Sequence, residues 1–438
     1  MIKKIRKFYT ILKTYFKNNI VRGGTIFFIS GLLANFMSYF YRIAMGRMLG
    51  PATFGELIAI ISMFLILSTL AAPFQEVGAR YAAVYQARNS LSNIGEFFLN
   101  FSFAGILVGT ILLKFGMIFK QFFIRFLNLS SLSNFYFLLM IVFTFFIVSV
   151  GWGILHGLQR FLQLGVSQLV DSFGKLIFGA VFVLLGFKLT GALAGILVSM
   201  FLSYAVVLYF CRDVVGGEKN KIREETKVKN REVIKYMVFS FLTLLLLNIF
   251  LNIDVVLAKR YFSEHETGIY SGVATLGQAT FIMGQLLGGI IFPIAVYQKE
   301  KKGDYITPFK TIMGIGILLL VLTCLVFFLF PGFLIKLFLG PRYLEGAPFL
   351  GYYGAIMGTL GLLWSLTAFE KGLNRFYFLP FLVLGGILET FLMVTRNSNF
   401  SQFLIALSVG IGTAILGTIL TIFIAERAKK KKELSGNL

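Results

Sequence analysis

The chain has 438 residues, of which 57% are hydrophobic and only 14% charged; a soluble domain carries roughly 25% charged residues. That composition excludes a water-soluble enzyme, which could not cover so much apolar surface, and a disordered segment, which needs more polar residues. The 41 Lys/Arg against 19 Asp/Glu leave a net charge of +22, which marks either an anionic partner or a membrane topology.

In chain order, residues 1–22 come first. Ile2, Ile5, Phe8, Tyr9, Leu12, Tyr15 and Phe16 recur at helical spacing among Lys3, Lys4, Arg6, Lys7, Lys13 and Lys17. The pattern predicts a basic amphipathic helix lying on anionic membrane lipids. Crossing a bilayer takes about 20 apolar residues as helix. Six such runs follow, at roughly 23–48, 54–72, 95–119, 133–156, 163–186 and 190–211, and make an N-terminal lobe over 23–211. The first run is too long for a signal-peptide core and no small-residue cleavage site follows it, so it reads as an uncleaved span. A polar linker occupies 212–232. Six more runs, at roughly 233–258, 268–297, 308–330, 347–369, 376–396 and 400–425, make a C-terminal lobe over 233–426, and 427–438 is a basic tail. The runs are continuous rather than alternating, which argues against spanning strands. The expected fold is all-α, a polytopic membrane protein with twelve transmembrane helices in two six-helix lobes. Arg47 precedes Gly55 by eight residues after the first span, and Arg260 precedes Gly268 by eight after the seventh. With the six-plus-six layout, this echo points to a duplicated transporter.

With the N-terminus in the cytoplasm, 29 of the basic residues fall on the inner side. Ten fall in outer loops, Lys259 and Arg260 among them, and two, Arg42 and Lys175, fall within spans. The bias puts both termini inside, in the cytoplasmic membrane of the cell. Cys211 and Cys324 both sit in apolar runs and indicate no disulfide framework. With His156 and His265 as the only histidines, there is no HExxH and no Cys/His cluster, which argues against a histidine-based zinc site. No phosphate-binding glycine loop is present, and the basic residues build no nucleic-acid platform.

Ionisable groups inside spans are expensive and therefore candidate functional groups. Arg42 lies in Asn35-Phe-Met-Ser-Tyr-Phe-Tyr-Arg42. Its fixed, forked guanidinium suits phosphate; the alternative is snorkelling toward the outer interface. Asp171 and Lys175, four apart in span 5, share a helix face and read either as an internal ion pair or as a substrate contact. Asp254 follows Asn248 and Asn252 in span 7 and can bind a cation or carry a proton. Glu389 in span 11 is a second buried acid, either completing an ion-coupling site with Asp254 or pairing with Arg396. Gln278 and Gln285, seven apart on span 8, line a sugar-wetted path or bond neighbouring helices. Glu76 and Arg80 read as a capped, paired helix end.

Tyr39-Phe-Tyr-Arg-Ile-Ala-Met-Gly-Arg-Met-Leu-Gly-Pro-Ala-Thr-Phe-Gly-Glu56 resembles the start of the polysaccharide transporter family, the Wzx-type oligosaccharide flippases of the MOP superfamily. Asn252-Ile-Asp-Val-Val-Leu-Ala-Lys-Arg-Tyr-Phe262 with Thr267-Gly-Ile-Tyr270-Ser, and Thr190-Gly-Ala-Leu-Ala-Gly195, are similar to later motifs of that family. The resemblance implies a monomeric flippase, not an enzyme. It would move a polyprenyl-diphosphate-linked oligosaccharide from the inner to the outer leaflet for cell-surface polysaccharide assembly, beside glycan polymerase machinery. It implies no cofactor beyond a sodium or proton gradient. Arg42 is then a diphosphate contact, with Lys175, Asn35, Gln278 and Gln285 as further substrate-binding candidates. Asp254, Glu389 and Asp171 are the ion-coupling candidates, with sodium at Asp254 the candidate metal. The chain departs from the fourteen-span lipid II flippases in its span count. One rival is a multidrug or organic-cation antiporter of the same superfamily, since Asp171, Asp254 and Glu389 outnumber Arg42 and Lys175. A second is a membrane glycan polymerase or ligase, which needs outer loops longer than the roughly 15 residues available here.

Overall fold

The computed structural model describes residues 19–87, 91–215, 231–301 and 303–434. The stretch 1–18, most of the 212–232 linker and residues 435–438 lie outside them, and with them the expected amphipathic helix. The described residues form helices and no strands. Nine segments among them are long and apolar enough to cross a membrane. One, Phe161–Val214, contains two helices, and the shorter apolar helix Leu379–Thr395 and the first helix Asn19–Leu49 complete the twelve expected passes. The protein is a multi-pass, all-α membrane protein. Two passes are longer than the sequence runs suggest. Pro51–Gln86 and Glu264–Lys299 each extend over 36 residues, jointed at Thr69–Ala71 and at Gln278.

By contacts the chain divides into two units. Unit 1 comprises Met1–Met48, Leu70–Arg125 and Leu129–Val228, and unit 2 Leu49–Thr69, Phe126–Asn128 and Lys229–Leu438. Unit 1 holds α1 (Asn19–Leu49), α3 (Ala72–Ala87), α4 (Leu91–Ile118), α5 (Lys120–Phe126), α6 (Leu132–Gly157), α7 (Phe161–Phe182) and α8 (Lys188–Val215). α6 is its axis. Phe98 of α4, Val150, Ile154 and Leu155 of α6, and Val207 of α8 form one buried cluster. Small residues set the helix spacing, as van der Waals packing in lipid requires. A side-chain carbon at Gly153 would run into the backbone of Gln75 on α3, and one at Gly195 on α8 into Gly179 on α7.

Unit 2 holds α9 (Arg231–Tyr261), α10 (Glu264–Gly277), α11 (Ala279–Glu300), α12 (Ile306–Leu329), α13 (Pro331–Phe338), α14 (Ala347–Gly372), α15 (Leu379–Thr395) and α16 (Phe400–Leu434), together with α2 (Pro51–Ser68). α14 is the axis here, with Leu350, Tyr353, Met357, Leu360 and Leu363 fully buried. α11 lies against it backbone to backbone at Gly284 and Gly361. Two hydroxyls bind across the contact, Ser365 Oγ to the Gly284 carbonyl at 2.8 Å and Thr280 Oγ1 to the Gly354 carbonyl at 2.7 Å. α12 leaves Ile315, Leu318, Leu322, Leu325 and Leu329 exposed, as a helix apolar all round does when it faces lipid.

The place of α2 differs from the sequence-based division, which ran one lobe over 23–211. α2 starts after Gly50 (φ +74°), with Pro51 in its first turn, an arrangement that needs a left-handed residue and tolerates a missing N–H. It then packs on α9 and α10. Gly55 permits this, since a side-chain carbon there would lie 2.7 Å from the Gly268 nitrogen. The two glycines of the Arg…Gly echo thus touch each other.

A second repeat joins spans 4 and 5 and spans 10 and 11. Gly157-Leu-Gln-Arg160-Phe and Gly372-Leu-Asn-Arg375-Phe form the same corner. Gln159 (φ 55°) and Asn374 (φ 54°) take the left-handed conformation at the same position. The backbone bonds match one for one: Arg160 N–H to the Leu155 carbonyl at 3.0 Å, and Arg375 N–H to the Glu370 carbonyl at 2.9 Å. Each arginine then pairs with a carboxylate near the end of the last helix of its unit, Arg160 with Asp213 and Arg375 with Glu426 at 2.7 Å.

Candidate functional site

In unit 2 five helices bury two acids together. Asp254 comes from α9 and is fully buried. Its Oδ2 accepts hydrogen bonds from Tyr270 Oη of α10 at 2.9 Å and Tyr353 Oη of α14 at 2.8 Å. Its Oδ1 is buried with no hydrogen-bond partner. Glu389 comes from α15, is fully buried, and neither of its oxygens has a partner. It packs against Gly410 of α16, where a side-chain carbon would lie 2.8 Å from Oε2. It is close enough to Asp254 for their charges to interact. The rings of Phe400 and Phe403 pack on Tyr270 at 5.4 and 5.9 Å and add apolar surface beside the acids. No ion pair joins Glu389 to Arg396, which lies exposed.

Two ionised carboxylates in such a place carry a large desolvation cost that two tyrosine hydroxyls only partly offset. The set lowers its energy by taking a proton or by holding a small cation on its free oxygens. Gln278, at the joint of α10 and α11, donates from Nε2 to the Leu251 carbonyl at 2.9 Å, the helix-bonding role. Gln285 is half-buried further along α11.

Unit 1 holds the other candidates. Asn35 and Arg42, seven apart on α1, share one face. Asn35 is exposed, and Arg42 is half-buried beside Tyr39 and Tyr41. Ser38 Oγ lies 3.3 Å from Ser172 Oγ of α7 and ties this face to the next pair. Lys175 Nζ donates to Asp171 Oδ2 at 3.1 Å, and Ser199 Oγ of α8 donates to Asp171 Oδ1 at 3.2 Å. Every oxygen of Asp171 therefore has a donor.

Several polar residues are not apparent in the sequence. Tyr270 belongs to a quoted motif, but Tyr353 stands 99 residues from Asp254 and nothing local marks it. Lys259, assigned to an outer loop from the sequence, is instead buried in the last turn of α9 and paired with Glu56 of α2 at 3.7 Å. The Gly-Leu-Gln/Asn-Arg-Phe corner was open to view as a repeat 215 residues apart. No group of three or more His, Cys, Asp or Glu that could hold a metal occurs among the described residues.

The family model described as "Polysaccharide biosynthesis protein" matches residues 20–296. None of the curated proteins compared matches the chain by sequence. By structure, the chain is similar to an inward-facing multidrug resistance MATE family transporter of the MOP superfamily, with a TM-score of 0.73 and 13% identity over 90% of this chain and 96% of that one. It is similar to the lipid II flippase MurJ in an inward closed conformation, with a TM-score of 0.64 and 13% identity over 92% and 87%. It is also similar to a MOP superfamily transporter from Pyrococcus furiosus, with a TM-score of 0.56 and 14% identity over 94% and 96%. At these identities the likeness is one of fold, the fold of MOP superfamily transporters.

Proposed function

The chain belongs to the polysaccharide biosynthesis protein family, and from that premise we propose that it flips a polyprenyl-diphosphate-linked oligosaccharide from the inner to the outer leaflet by alternating access. No covalent step is needed, because the substrate only changes sides. The family match supports the glycan. The flippase and transporters of the same fold support the movement. The excess of basic residues in the segments assigned to the inner side supports an orientation with both termini in the cytoplasm, in the cytoplasmic membrane.

The observation that carries the energetics is the acid pair of unit 2. Asp254 and Glu389 are buried, three of their four oxygens lack a partner, and no basic side chain is bonded to them. The free oxygens fit a sodium ion or a proton. In this reading, binding neutralises the pair, and release toward the other side returns the charge that drives the next cycle. Tyr270 and Tyr353 hold the Asp254 carboxylate in place. On α1, Arg42 is the phosphate contact, with Asn35 on the same face. Lys175 is left out, because Asp171 already occupies its ammonium.

The test is complementation. In cells lacking the native protein, Arg42→Ala is expected to abolish glycan export and Arg42→Lys to leave a fraction of it. Full export from both variants rejects the role of Arg42. The alternative of a multidrug antiporter has one specific observation in its favour, the TM-score of 0.73 to such a transporter. It predicts that expressing cells resist cationic dyes with no change in surface glycan.

A further inference from the structure

One end of unit 2 carries a cavity that the transport reading does not use. It measures about 430 Å³ and lies between the first turns of α9 and the α14–α15 corner. Its walls are Lys235, Tyr236 and Phe239 of α9 and Asn374, Arg375, Phe376 and Tyr377 of the corner. Two of these side chains are cationic, four are aromatic and none is acidic. Glu426 and Glu370 are not part of the lining but pair with Arg375, whose Nη1 lies 2.7 Å from Glu426 and 3.8 Å from Glu370, while its Nη2 donates to Tyr305 Oη at 3.2 Å. A guanidinium has five N–H donors, so these two bonds fix its plane without exhausting it. The aromatic wall is ordered. The Phe376 ring sits 5.5 Å from Tyr236 and 5.3 Å from Phe239, and the Lys235 ammonium lies over Phe239 at 5.7 Å. Lys235 is exposed at the rim, as is Tyr377 at 72%. Asn374 takes a left-handed φ of 54°, and that turn presents Arg375 and Phe376 together.

We propose that this cavity binds the headgroup of an anionic phospholipid from the leaflet at this end of the unit. Four features fit that ligand. The cavity lies where α9 enters the apolar run, the depth of headgroups and of aromatic belts. Basic pockets between helices at such a level attract anionic headgroups. The aromatic lining suits the glycerol and the first acyl carbons, and the volume falls in the range of small-ligand sites. A free phosphate would use Lys235 and the remaining guanidinium donors but leave the aromatic lining uncovered. The proposal is independent of what the protein transports.

The experiment uses the purified full-length chain in mixed micelles, titrated with dioleoyl-phosphatidylglycerol or dioleoyl-phosphatidylcholine, with the thermal midpoint and native mass spectra as readouts. Phosphatidylglycerol is expected to raise the midpoint and to remain bound as one retained lipid, and phosphatidylcholine to do neither. Lys235→Ala should require about fivefold more phosphatidylglycerol for half the effect, the roughly 1 kcal/mol that one basic side chain adds near an anionic surface. Tyr377→Ala, at an exposed rim position, should weaken the effect without lowering the lipid-free midpoint. Lys310→Ala is the charge control, an exposed lysine of α12 outside the cavity, and should titrate as the unaltered chain does. The proposal is overturned by equal effects of the two lipids, by Lys235→Ala titrating like Lys310→Ala, or by glycerol phosphate alone reproducing the shift.

Discussion

Each unit buries an aspartate within a span, and the two are kept in opposite ways. Asp171 in unit 1 has a lysine one turn away and a serine on the next helix, so its charge is matched and each of its oxygens has a donor in range. Asp254 in unit 2 has two tyrosine hydroxyls on one oxygen, nothing on the other, and a second carboxylate in range. The difference lies in their partners. A charge that is satisfied in one fixed structure holds helices together. A charge left short by its own protein is available to something that comes and goes.

This comparison can be broken at several points. Asp254→Asn should reduce gradient-driven transport to background while the protein still folds, because the amide keeps the shape and removes the charge. Transport measured under an imposed sodium or pH gradient decides it, and retained transport would make Asp254 as structural as Asp171. Lys175→Met leaves Asp171 with an uncompensated charge and should cost about 3 kcal/mol of stability. The double variant Asp171→Asn/Lys175→Met should recover most of that loss in the same denaturation series and keep transport. Tyr353→Phe removes one of the two bonds to Asp254 and should weaken cation affinity by about tenfold, read by isothermal titration or by the half-saturating ion concentration. The smallest effect is expected at the partly exposed Arg160–Asp213 pair, where Asp213→Asn should cost less than about 1 kcal/mol and leave transport unchanged.

Much of this architecture can be read from local chemistry. Twelve passes follow from run length, because a long, continuous apolar run satisfies its own backbone in lipid as a helix. Asp254, Glu389 and the Asp171–Lys175 pair stand out because a charge within an apolar run is rare on any scale. What sequence could not show are meetings between distant segments. Tyr353 looks like any aromatic of span 10 until α14 folds beside α9. Lys259 reads as a loop lysine because it adjoins Arg260 at a span end, yet Glu56, some 200 residues earlier in the chain, draws it inside. The same contact attaches α2 to unit 2. Gly55 and Gly268 foreshadowed this contact as an echo, but an echo does not say that its two copies touch.

The matched corners at Arg160 and Arg375 bear on ancestry. The arginine stands 53 residues before its carboxylate in one unit and 51 in the other, so the two stretches agree in length to within two residues. A half-length ancestor that doubled would leave such a record, with the joint retained because its turn and its ion pair both depend on spacing. The two corners differ in their surroundings: Arg160 pairs with Asp213, while Arg375 also meets Tyr305, Glu370 and the rings of Tyr236, Phe239 and Phe376 across the cavity. A repeated turn can thus carry one ion pair in one unit and the wall of a cavity in the other.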